Sequence, residues 1–338
     1  MSLDFLFYLL ADYIEPADSH NDTLKYRRTT SDMELVIVIP FLDDQPSFNV
    51  LVKRLSQNVK NFHLVVVDDG SLMSPVDEAF LQESIGSWSH IILKRNSGHQ
   101  RAIAVGLNYV YNNFNFKNVL VMDGDGEDSP ETVSGLLDFQ RSQTPVPDIC
   151  VVTRLSRENS LWFKLLYLIY KFFFWAFTGR QMNFGHYSLL SREAVSRIIN
   201  YPQLWIHLGS TYLLSRMPIT KYPLSKGKRY HGKSRLNITS LVNLGLRSVV
   251  AQSERVIPRV ILANVVLLFS AALIFTVGNL FKWKFLFYLA TLIFLFSQSL
   301  VAATILIMLL SISRNSGEYD SSNYQTLVKY VSSSESDK

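Results

Sequence analysis

The sequence contains a single cysteine, Cys150, among 338 residues. That scarcity excludes an internal disulfide framework and any metal site built from several thiolates. Charged residues are also scarce: they make up 18% of the chain and hydrophobic residues 48%, whereas soluble domains usually carry about 25% charged residues. The apolar content excludes intrinsic disorder for most of the chain, and the length predicts about two domains.

Two familiar sequence signals are also missing. No Gly-x-Gly-x-x-Gly sequence occurs, so a dinucleotide-binding dehydrogenase lacks its main support. The N-terminus does not resemble a secretory signal, because Met1–Leu10 is apolar but short, contains Asp4 and lacks a basic region. We expect residues 1–32 to form an appended helix and linker, either packed on the rest of the protein or lying on a membrane.

Two long segments near the C-terminus contain no charged residue. They are Val260–Phe281 and Phe285–Ser313, and each exceeds the roughly 20 residues that a helix needs to cross a bilayer. Only three residues separate them, so we predict a transmembrane helical hairpin. Buried core helices are the alternative, although soluble helices seldom run this long without a charge.

The flanking charges predict the orientation of this hairpin. Residues 221–259 contain nine Lys or Arg and only one acid, Glu254, so the positive-inside rule places this basic segment in the cytoplasm. The cations suit contact with lipid or phosphate, whereas a solvated face is the alternative. Nucleic acid is not an expected partner, because the cations cluster beside the predicted membrane segment. We expect the tail 314–338, rich in Ser, Asp and Glu, to be disordered.

The region before the hairpin alternates between strand and helix patterns. Short β-branched runs bounded by polar residues predict buried strands, and apolar residues at helical spacing predict helices. Such alternation predicts a doubly wound parallel sheet with helices on both faces. The predicted strands are Glu34–Pro40, Phe62–Val67, Ile91–Lys94 and Asn118–Met122, with helices at 46–61 and Gly98–Tyr111.

Acidic clusters follow two of these strands. Asp68–Ser71 comes after the second strand and Asp123–Asp125 after the fourth, at the sheet edge where ligands bind in such folds. The first cluster could bind a ribose or nucleobase, or could simply form a turn. In the second, residues i and i+2 of an extended segment point the same way, so both carboxylates could hold Mg²⁺ or Mn²⁺ together with substrate phosphates.

The order of these motifs resembles the inverting glycosyltransferases of family 2, which have the GT-A fold. More narrowly, it is similar to membrane-anchored polyprenyl-phosphate glycosyltransferases of the dolichyl-phosphate mannose synthase and bactoprenol glucosyltransferase type. The resemblance covers residues 34–313. The matching segments are Val36–Pro40, Val65–Ser71, Arg95–Ala102, Met122–Glu131, Ser188–Arg192 and Lys228–Ser234, followed by the hairpin.

This resemblance implies an α/β fold: a GT-A, Rossmann-like nucleotide-diphospho-sugar transferase domain with a C-terminal two-helix transmembrane hairpin. The expected parts are an extension at 1–32, a catalytic domain at 33–220, a basic juxtamembrane segment at 221–259, a hairpin at 260–313 and the tail. The implied activity is metal-dependent transfer of a hexose from a nucleotide-diphosphate sugar, with UDP favoured, to undecaprenyl phosphate in cell-surface polysaccharide synthesis. The implied location is the cytoplasmic face of a bacterial inner membrane, and a homo-oligomer is compatible with the sequence.

The resemblance also implies roles for individual residues. Asp123 and Asp125 would hold Mg²⁺ or Mn²⁺, with Asp125 the direct ligand. The implied nucleotide-sugar contacts are Pro40, Asp43, Asp44, Asp69, Gly98 and Asp123. The implied phosphate and acceptor contacts are Arg154, Arg157, Arg229, Lys233 and Ser234.

One segment departs from the family pattern. The family commonly has Gly-Asp-Phe-Arg where this chain has Gly185-His186-Tyr187-Ser188, so an acid and a base are both replaced. A phosphate acceptor is already anionic and needs positioning more than deprotonation, whereas a hydroxyl acceptor needs a general base. Asp128 and His186 are the catalytic candidates for that base, although Asp128 could cap a helix near Pro130 and His186 could simply be packed.

Other interpretations remain open. A transferase acting on a lipid-linked sugar or another hydroxyl acceptor is the main alternative. A processive polysaccharide synthase would show Gln-x-x-Arg-Trp, whereas Gln252–Val256 has the spacing without the Trp. A catalytically inactive scaffold is disfavoured by the intact Asp-x-Asp. The aromatic segment 161–178 predicts an interfacial helix that seats the catalytic domain on lipid, or else a core helix.

Overall fold

A computed structural model describes residues 32–154, 161–225, 227–232, 238–315 and 324–334. Its centre is one eight-stranded sheet in the order β7-β5-β6-β4-β1-β2-β3-β8. The strands are β1 (Asp32–Phe41), β2 (Phe62–Asp68), β3 (Trp88–Leu93), β4 (Asn115–Val121), β5 (Ile149–Arg154), β6 (Ser188–Ser191), β7 (Ile219–Leu224) and β8 (Val328–Ser333).

The helices surround this sheet and then extend away from it. Those before the basic segment are α1 (Gln45–Asn58), α2 (Glu78–Ser84), α3 (His99–Asn113), α4 (Val133–Ser142), α5 (Leu161–Thr178), α6 (Arg192–Ile198) and α7 (Leu208–Ser215). The later ones are α8 (Ile238–Val250), α9 (Ser253–Phe281) and α10 (Lys284–Asn315). Short 3₁₀ turns lie at Pro130–Thr132, Pro202–Trp205 and Tyr324–Leu327.

The central strand β1 explains why both faces of the sheet are covered. Successive side chains of a strand point to opposite faces, and every residue from Leu35 to Pro40 is buried. Val36 and Val38 pack into one apolar cluster with residues of α3, whereas Ile37 and Ile39 pack into a second cluster with residues of α1. The predicted two-sided α/β architecture is therefore confirmed.

The sheet is mixed, so the predicted parallel pairing holds for its central strands but not for β6 or β8. Strands β4, β1, β2 and β3 pair in parallel, but β6 pairs antiparallel with both β4 and β5. The expected boundary of the catalytic domain at residue 220 falls inside β7, which pairs in parallel with β5. The sequence pattern did not predict β6, because this strand contains only four residues.

The C-terminal tail returns to the sheet. Strand β8 pairs antiparallel with the edge strand β3, and Tyr324 is buried against the core. The expectation of a disordered tail is therefore wrong for residues 324–334. Ile91 and Ile92 of β3 pair with Val331 and Tyr330 of β8, a pairing that composition alone did not reveal. Residues 316–323 and 335–338 lie outside the described part of the chain.

The predicted hairpin is present as two long helices, α9 and α10. The most apolar stretch of each helix is mostly exposed: only 11% of its residues are buried in α9 and 6% in α10. Many large apolar side chains point outward, including Leu262, Phe269 and Leu295. Exposed apolar surface of this extent marks an interaction with a membrane or another apolar partner.

Helix α5 presents an aromatic face beside this hairpin. Phe172, Phe173 and Trp175 are exposed, whereas Phe174 is buried. The hydroxyl of Tyr170 lies 2.9 Å from that of Ser248 on α8, and α5 also contacts α9. The aromatic face and the hairpin therefore lie on neighbouring elements.

Candidate active site

The candidate site lies beyond the carboxyl ends of β1, β2 and β4. The N–H of Asp69 donates to the carbonyl of Phe41 (2.8 Å) and the N–H of Met122 to that of Val38 (3.2 Å). These bonds continue the strand pairing to the points where the two acidic clusters begin. The sheet thus brings both predicted clusters to one edge.

The carboxylate of Asp43 organises the loop after β2. Its Oδ1 accepts hydrogen bonds from the backbone N–H groups of Leu72, Met73 and Ser74 at 3.0, 2.8 and 2.9 Å. Asp43 itself has a positive φ of 44°, which is uncommon for a residue other than glycine. Pro40 is buried at the end of β1, and Asp44 precedes the first residue of α1 without capping it. These predicted nucleotide contacts therefore lie together on one side of the site.

Asp69 connects this side to the start of α3. Its two carboxylate oxygens accept the N–H groups of Ser97 (2.6 Å) and Gly98 (2.8 Å). Burial raises the pKa of Asp69 to about 6, although these two N–H groups oppose the shift. Gly70 has a φ of 76°, and a Cβ there would lie 2.7 Å from the backbone of Arg95, so only glycine fits this turn. Asp69 thus fixes the loop that leads into α3.

That loop places His99, the first residue of α3, beside the second acidic cluster. His99 Nε2 lies 3.7 Å from Asp123 Oδ1, and His186 Nε2 lies 2.9 Å from Asp123 Oδ2. The two imidazole rings meet edge to face with centroids 4.8 Å apart. Burial alone would lower the pKa of His186, but the carboxylates of Asp123 and Asp128 outweigh it and raise the pKa to about 9.

Asp128 holds the backbone of this cluster in place through hydrogen bonds. It is 2% exposed, and its Oδ2 accepts the backbone N–H of Asp123 at 3.0 Å. Its Oδ1 lies 3.2 Å from Arg154 Nη2, while Arg154 Nη1 bonds Glu127 at 3.1 Å. Burial and the charge of Asp123 raise the pKa of Asp128 to about 6. Asp128 therefore holds the Asp-x-Asp loop in shape and does not cap the turn that begins at Pro130.

Asp125 points toward the basic segment after β7. Its Oδ2 lies 2.5 Å from Arg229 Nη2, and its Oδ1 accepts the N–H of Glu127 at 2.9 Å. Burial and the charge of Asp123 raise its pKa, whereas Arg229 lowers it. Arg229 also lies 3.5 Å from Glu127. This guanidinium is thus held at the mouth of the acidic cluster.

The segment Gly227–Ser234 has the spacing Gly-x-x-x-x-Gly-Lys-Ser, which in P-loop proteins cradles phosphates between a strand and a helix. Here the backbone of residues 227–230 faces the acidic loop instead. The N–H of Gly227 donates to the carbonyl of Glu127 and that of Tyr230 to the carbonyl of Asp125, both at 2.9 Å. These two N–H groups therefore bind backbone carbonyls of the acidic loop and are not arranged to bind a phosphate as in a P-loop.

The donor atoms of this cluster suit a divalent cation. Single donor atoms of His99, Asp123 and His186 lie within 4.8 Å of one another. Nε2 of His186 is buried and makes no aligned hydrogen bond, despite its closeness to Asp123. Imidazole and carboxylate together suit a transition metal such as Mn²⁺ better than Mg²⁺, which prefers oxygen ligands.

The structure therefore adds partners that the sequence did not reveal. His99 follows Gly98 inside the matching segment Arg95–Ala102, but its role depends on a tertiary contact with Asp123. Glu127, which binds Arg154 and Arg229, lies inside the acidic run. Arg157, Lys233 and Ser234 were predicted to bind phosphate and lie outside the described residues.

The departure at residues 185–188 has a structural counterpart. Tyr187 is buried, and its hydroxyl lies 3.0 Å from that of Thr132. Ser188 is fully buried on β6, where its hydroxyl bonds the carbonyl of His186 and lies 2.6 Å from the hydroxyl of Tyr212. Only His186 of this segment reaches the acidic cluster. The site therefore has an imidazole where the resemblance predicts a carboxylate.

Comparison with known families gives one sequence match. Residues 36–199 match the family model described as Glycosyl transferase family 2. This range includes both acidic clusters, His99, Arg154 and His186. No curated protein sequence matches the chain.

Several solved structures are similar to this chain. Glucosyl-3-phosphoglycerate synthase from Mycobacterium tuberculosis, in complex with Mn²⁺, uridine-diphosphate and glucosyl-3-phosphoglycerate, has 15% identity, a TM-score of 0.47 and coverage of 66% of this chain and 80% of its own. A complex of that enzyme with Mn²⁺, UDP-Glc and phosphoglyceric acid has 12% identity, a TM-score of 0.49 and coverage of 66% and 79%. S. aureus TarS 1-349 has 14% identity, a TM-score of 0.39 and coverage of 58% of this chain, and the chain spans 60% of its length.

Proposed function

We propose that this chain, whose residues 36–199 match the Glycosyl transferase family 2 model, moves a sugar from a nucleotide-diphosphate sugar to a polyprenyl phosphate at a membrane surface. UDP is the favoured nucleotide, and undecaprenyl phosphate is the favoured acceptor. The observation that carries the choice of acceptor is the state of the two candidate bases.

Neither candidate base is available to take a proton from a hydroxyl acceptor. His186 Nε2 lies 2.9 Å from Asp123 Oδ2, and with a cation bound the imidazole would be one of its ligands. Asp128 is buried, and its oxygens already bind the N–H of Asp123 and the guanidinium of Arg154. A phosphate acceptor is anionic near neutral pH, so it requires no such base.

The other residues of the site would bind the cation, stabilise the leaving group and position the loops. His99, Asp123 and His186 would hold a divalent cation, which stabilises the charge that develops on the leaving diphosphate. Arg229, held by Asp125 and Glu127, would add a fixed positive charge beside this cluster. Asp43 and Asp69 shape the loops that would receive the nucleotide, while Asp128 and Arg154 keep the acidic loop in position.

The two apolar helices provide the membrane attachment. Strand β8, which follows α10, pairs with β3 of the catalytic domain, and α9 begins directly after α8. Both ends of the hairpin therefore connect to the catalytic domain, as they must when two helices cross a bilayer and return the chain to the side from which it came. The nine cations of residues 221–259 favour the cytoplasmic side.

The transfer reaction can be tested with the full chain in detergent and Mn²⁺. Radiolabelled UDP- and GDP-sugars would be supplied with undecaprenyl phosphate, and with undecaprenol as a matched acceptor that lacks the phosphate. We expect organic-phase label from one donor, only with the phosphate acceptor, and its loss after metal removal with EDTA. Equal transfer to undecaprenol would overturn the acceptor assignment and favour a hydroxyl acceptor instead.

The orientation can be tested by cysteine labelling, because the natural Cys150 is buried and burial raises its pKa to about 12. Lys284→Cys places a thiol at the tip of the hairpin, and Lys60→Cys places one on the exposed surface of the catalytic domain. A membrane-impermeant maleimide should label Lys284→Cys in intact cells and Lys60→Cys only after permeabilisation. The reverse pattern would refute a cytoplasmic catalytic domain.

A further inference from the structure

Four arginines from three separate elements meet where the catalytic domain joins the hairpin. Arg180 follows α5, Arg216 follows α7, and Arg255 and Arg259 lie in the first two turns of α9. We call these four residues the junction arginines. Arg180 and Arg216 come from outside the basic segment 221–259, so the sequence alone does not place them in this group.

Direct contacts hold the group together. The guanidinium of Arg259 packs on Gly179, in the space that a Cβ would fill, where the backbone has a φ of 68°. The neighbouring Arg180 donates from Nη1 to the carbonyl of Leu213, in the last turn of α7. Arg216 caps that same helix in a left-handed conformation with a φ of 59°. The ends of α5 and α7 and the start of α9 are therefore joined through these side chains.

The positive charge of the group is not neutralised within the described part of the chain. None of the junction arginines forms an ion pair with a described carboxylate, in contrast to Arg54, Arg141, Arg154 and Arg229. Burial, together with the charges of Arg255 and Arg216, lowers the pKa of Arg180. Like charges this close repel one another, and an anion bound among them would relieve that repulsion.

The position of the group indicates which kind of anion could reach it. Helix α9 continues from Arg259 into the uncharged run that begins at Val260. Helix α5, which ends at Thr178, exposes Phe172, Phe173 and Trp175, and aromatic side chains of this kind favour the membrane–water boundary. The group therefore stands at the depth of lipid phosphates if the hairpin spans a bilayer.

We propose that the junction arginines bind the phosphate of an anionic membrane phospholipid and so fix the catalytic domain against the bilayer. This inference rests on the membrane placement of the hairpin but not on the transfer reaction. Arginine suits the role because its planar guanidinium can bind a phosphate through two parallel hydrogen bonds.

The test is a lipid-binding measurement on the full chain in neutral detergent. Phosphatidylglycerol and phosphatidylcholine with the same acyl chains would be titrated, and bound lipid would be counted by native mass spectrometry. The variant is Arg216→Gln with Arg255→Gln, which leaves the Arg180 bond to Leu213 intact. The matched control, Lys60→Gln with Arg197→Gln, removes two exposed cations elsewhere on the catalytic domain.

We expect wild type and control to retain phosphatidylglycerol in preference to phosphatidylcholine. The junction variant should lose roughly 25-fold in affinity, about fivefold per cation, with an unchanged melting temperature. Arg255→Lys should keep most of the binding, which separates a charge role from a packing role. Equal phosphatidylglycerol binding in variant and wild type would overturn the proposal, as would an unchanged phospholipid affinity with a raised KM for polyprenyl phosphate. Binding is read without turnover, so a failed transfer assay leaves this result independent.

Discussion

Neutralising Asp125 should separate catalysis from folding. In Asp125→Asn the side chain keeps its shape, and its remaining oxygen can still accept the N–H of Glu127, now at 2.9 Å. Burial and Asp123 raise the pKa of Asp125, which means that its negative charge is disfavoured in the folded protein. Removing that charge should therefore leave the melting temperature unchanged or slightly higher.

The effect on transfer should be large. The variant loses the partner that holds Arg229 at 2.5 Å and one negative charge beside the candidate metal donors. Loss of one fixed electrostatic contact to a developing charge costs about 100-fold to 1,000-fold in rate, or about 3 to 4 kcal/mol in activation free energy. We expect kcat/KM for the nucleotide sugar to fall at least about 100-fold on that basis.

The assay is the initial rate of organic-phase label at several donor concentrations, with a thermal melt of the same sample. Glu131→Gln is the matched control, because Glu131 is an acid of the same segment whose ion pair with Arg54 (3.1 Å) is exposed. Exposed pairs contribute little, so the control should keep near wild-type activity. Transfer by Asp125→Asn within threefold of wild type would refute the role given to this carboxylate.

Three further predictions concern the fold. Burial lowers the pKa of His63 from 6.5 to about 4, so between these values the unfolded chain binds a proton that the folded chain does not. Stability should therefore decrease as the pH drops from about 6.5 toward 4, by about 3 kcal/mol at most. Thermal melts of His63→Gln at pH 5 and 7.5 should lack this component, and a pH slope equal to that of wild type would contradict it. Gly106→Ala brings a Cβ within 2.5 Å of Val38 and should lower the free energy of unfolding by about 1 to 3 kcal/mol, which a lower melting temperature would show. Gly86→Ala has open space around it and should leave the melting temperature unchanged. Removing residues 324–338 exposes the edge of β3 and should cause aggregation, measured by size-exclusion chromatography, while removing only 335–338 should not; a monodisperse longer truncation would count against a protective role of β8.

The sequence predicted the centre of the sheet because each central strand carries its own signal. Glu34–Pro40 was expected and β1 spans Asp32–Phe41, since a strand buried on both faces consists of apolar β-branched residues. The edges were not predictable in the same way. β6 contains four residues, and β8 follows the hairpin with a polar composition, so its order depends on pairing with β3.

In the candidate site, too, some features were predictable from the sequence and others were not. The acidic clusters follow strands, so their position at one sheet edge could be expected from the chain order, and the family predicted from them is the one whose model matches residues 36–199. The approach of His99 and His186 to Asp123 could not be expected, because it depends on how α3 and the segment before β6 pack. The pairing of Asp125 with Arg229 likewise joins segments far apart in sequence.

The central claim is that the sugar is joined to a lipid phosphate, and the most direct test is the identity of the lipid product. The reaction with undecaprenyl phosphate would be extracted, and the product's mass and the anomeric configuration of its sugar would be determined by mass spectrometry and NMR. We predict a monophosphate that has gained one sugar, with the anomeric configuration inverted relative to the donor. A product that retains the donor configuration, or a sugar attached at a carbohydrate hydroxyl with the lipid phosphate unmodified, would contradict it.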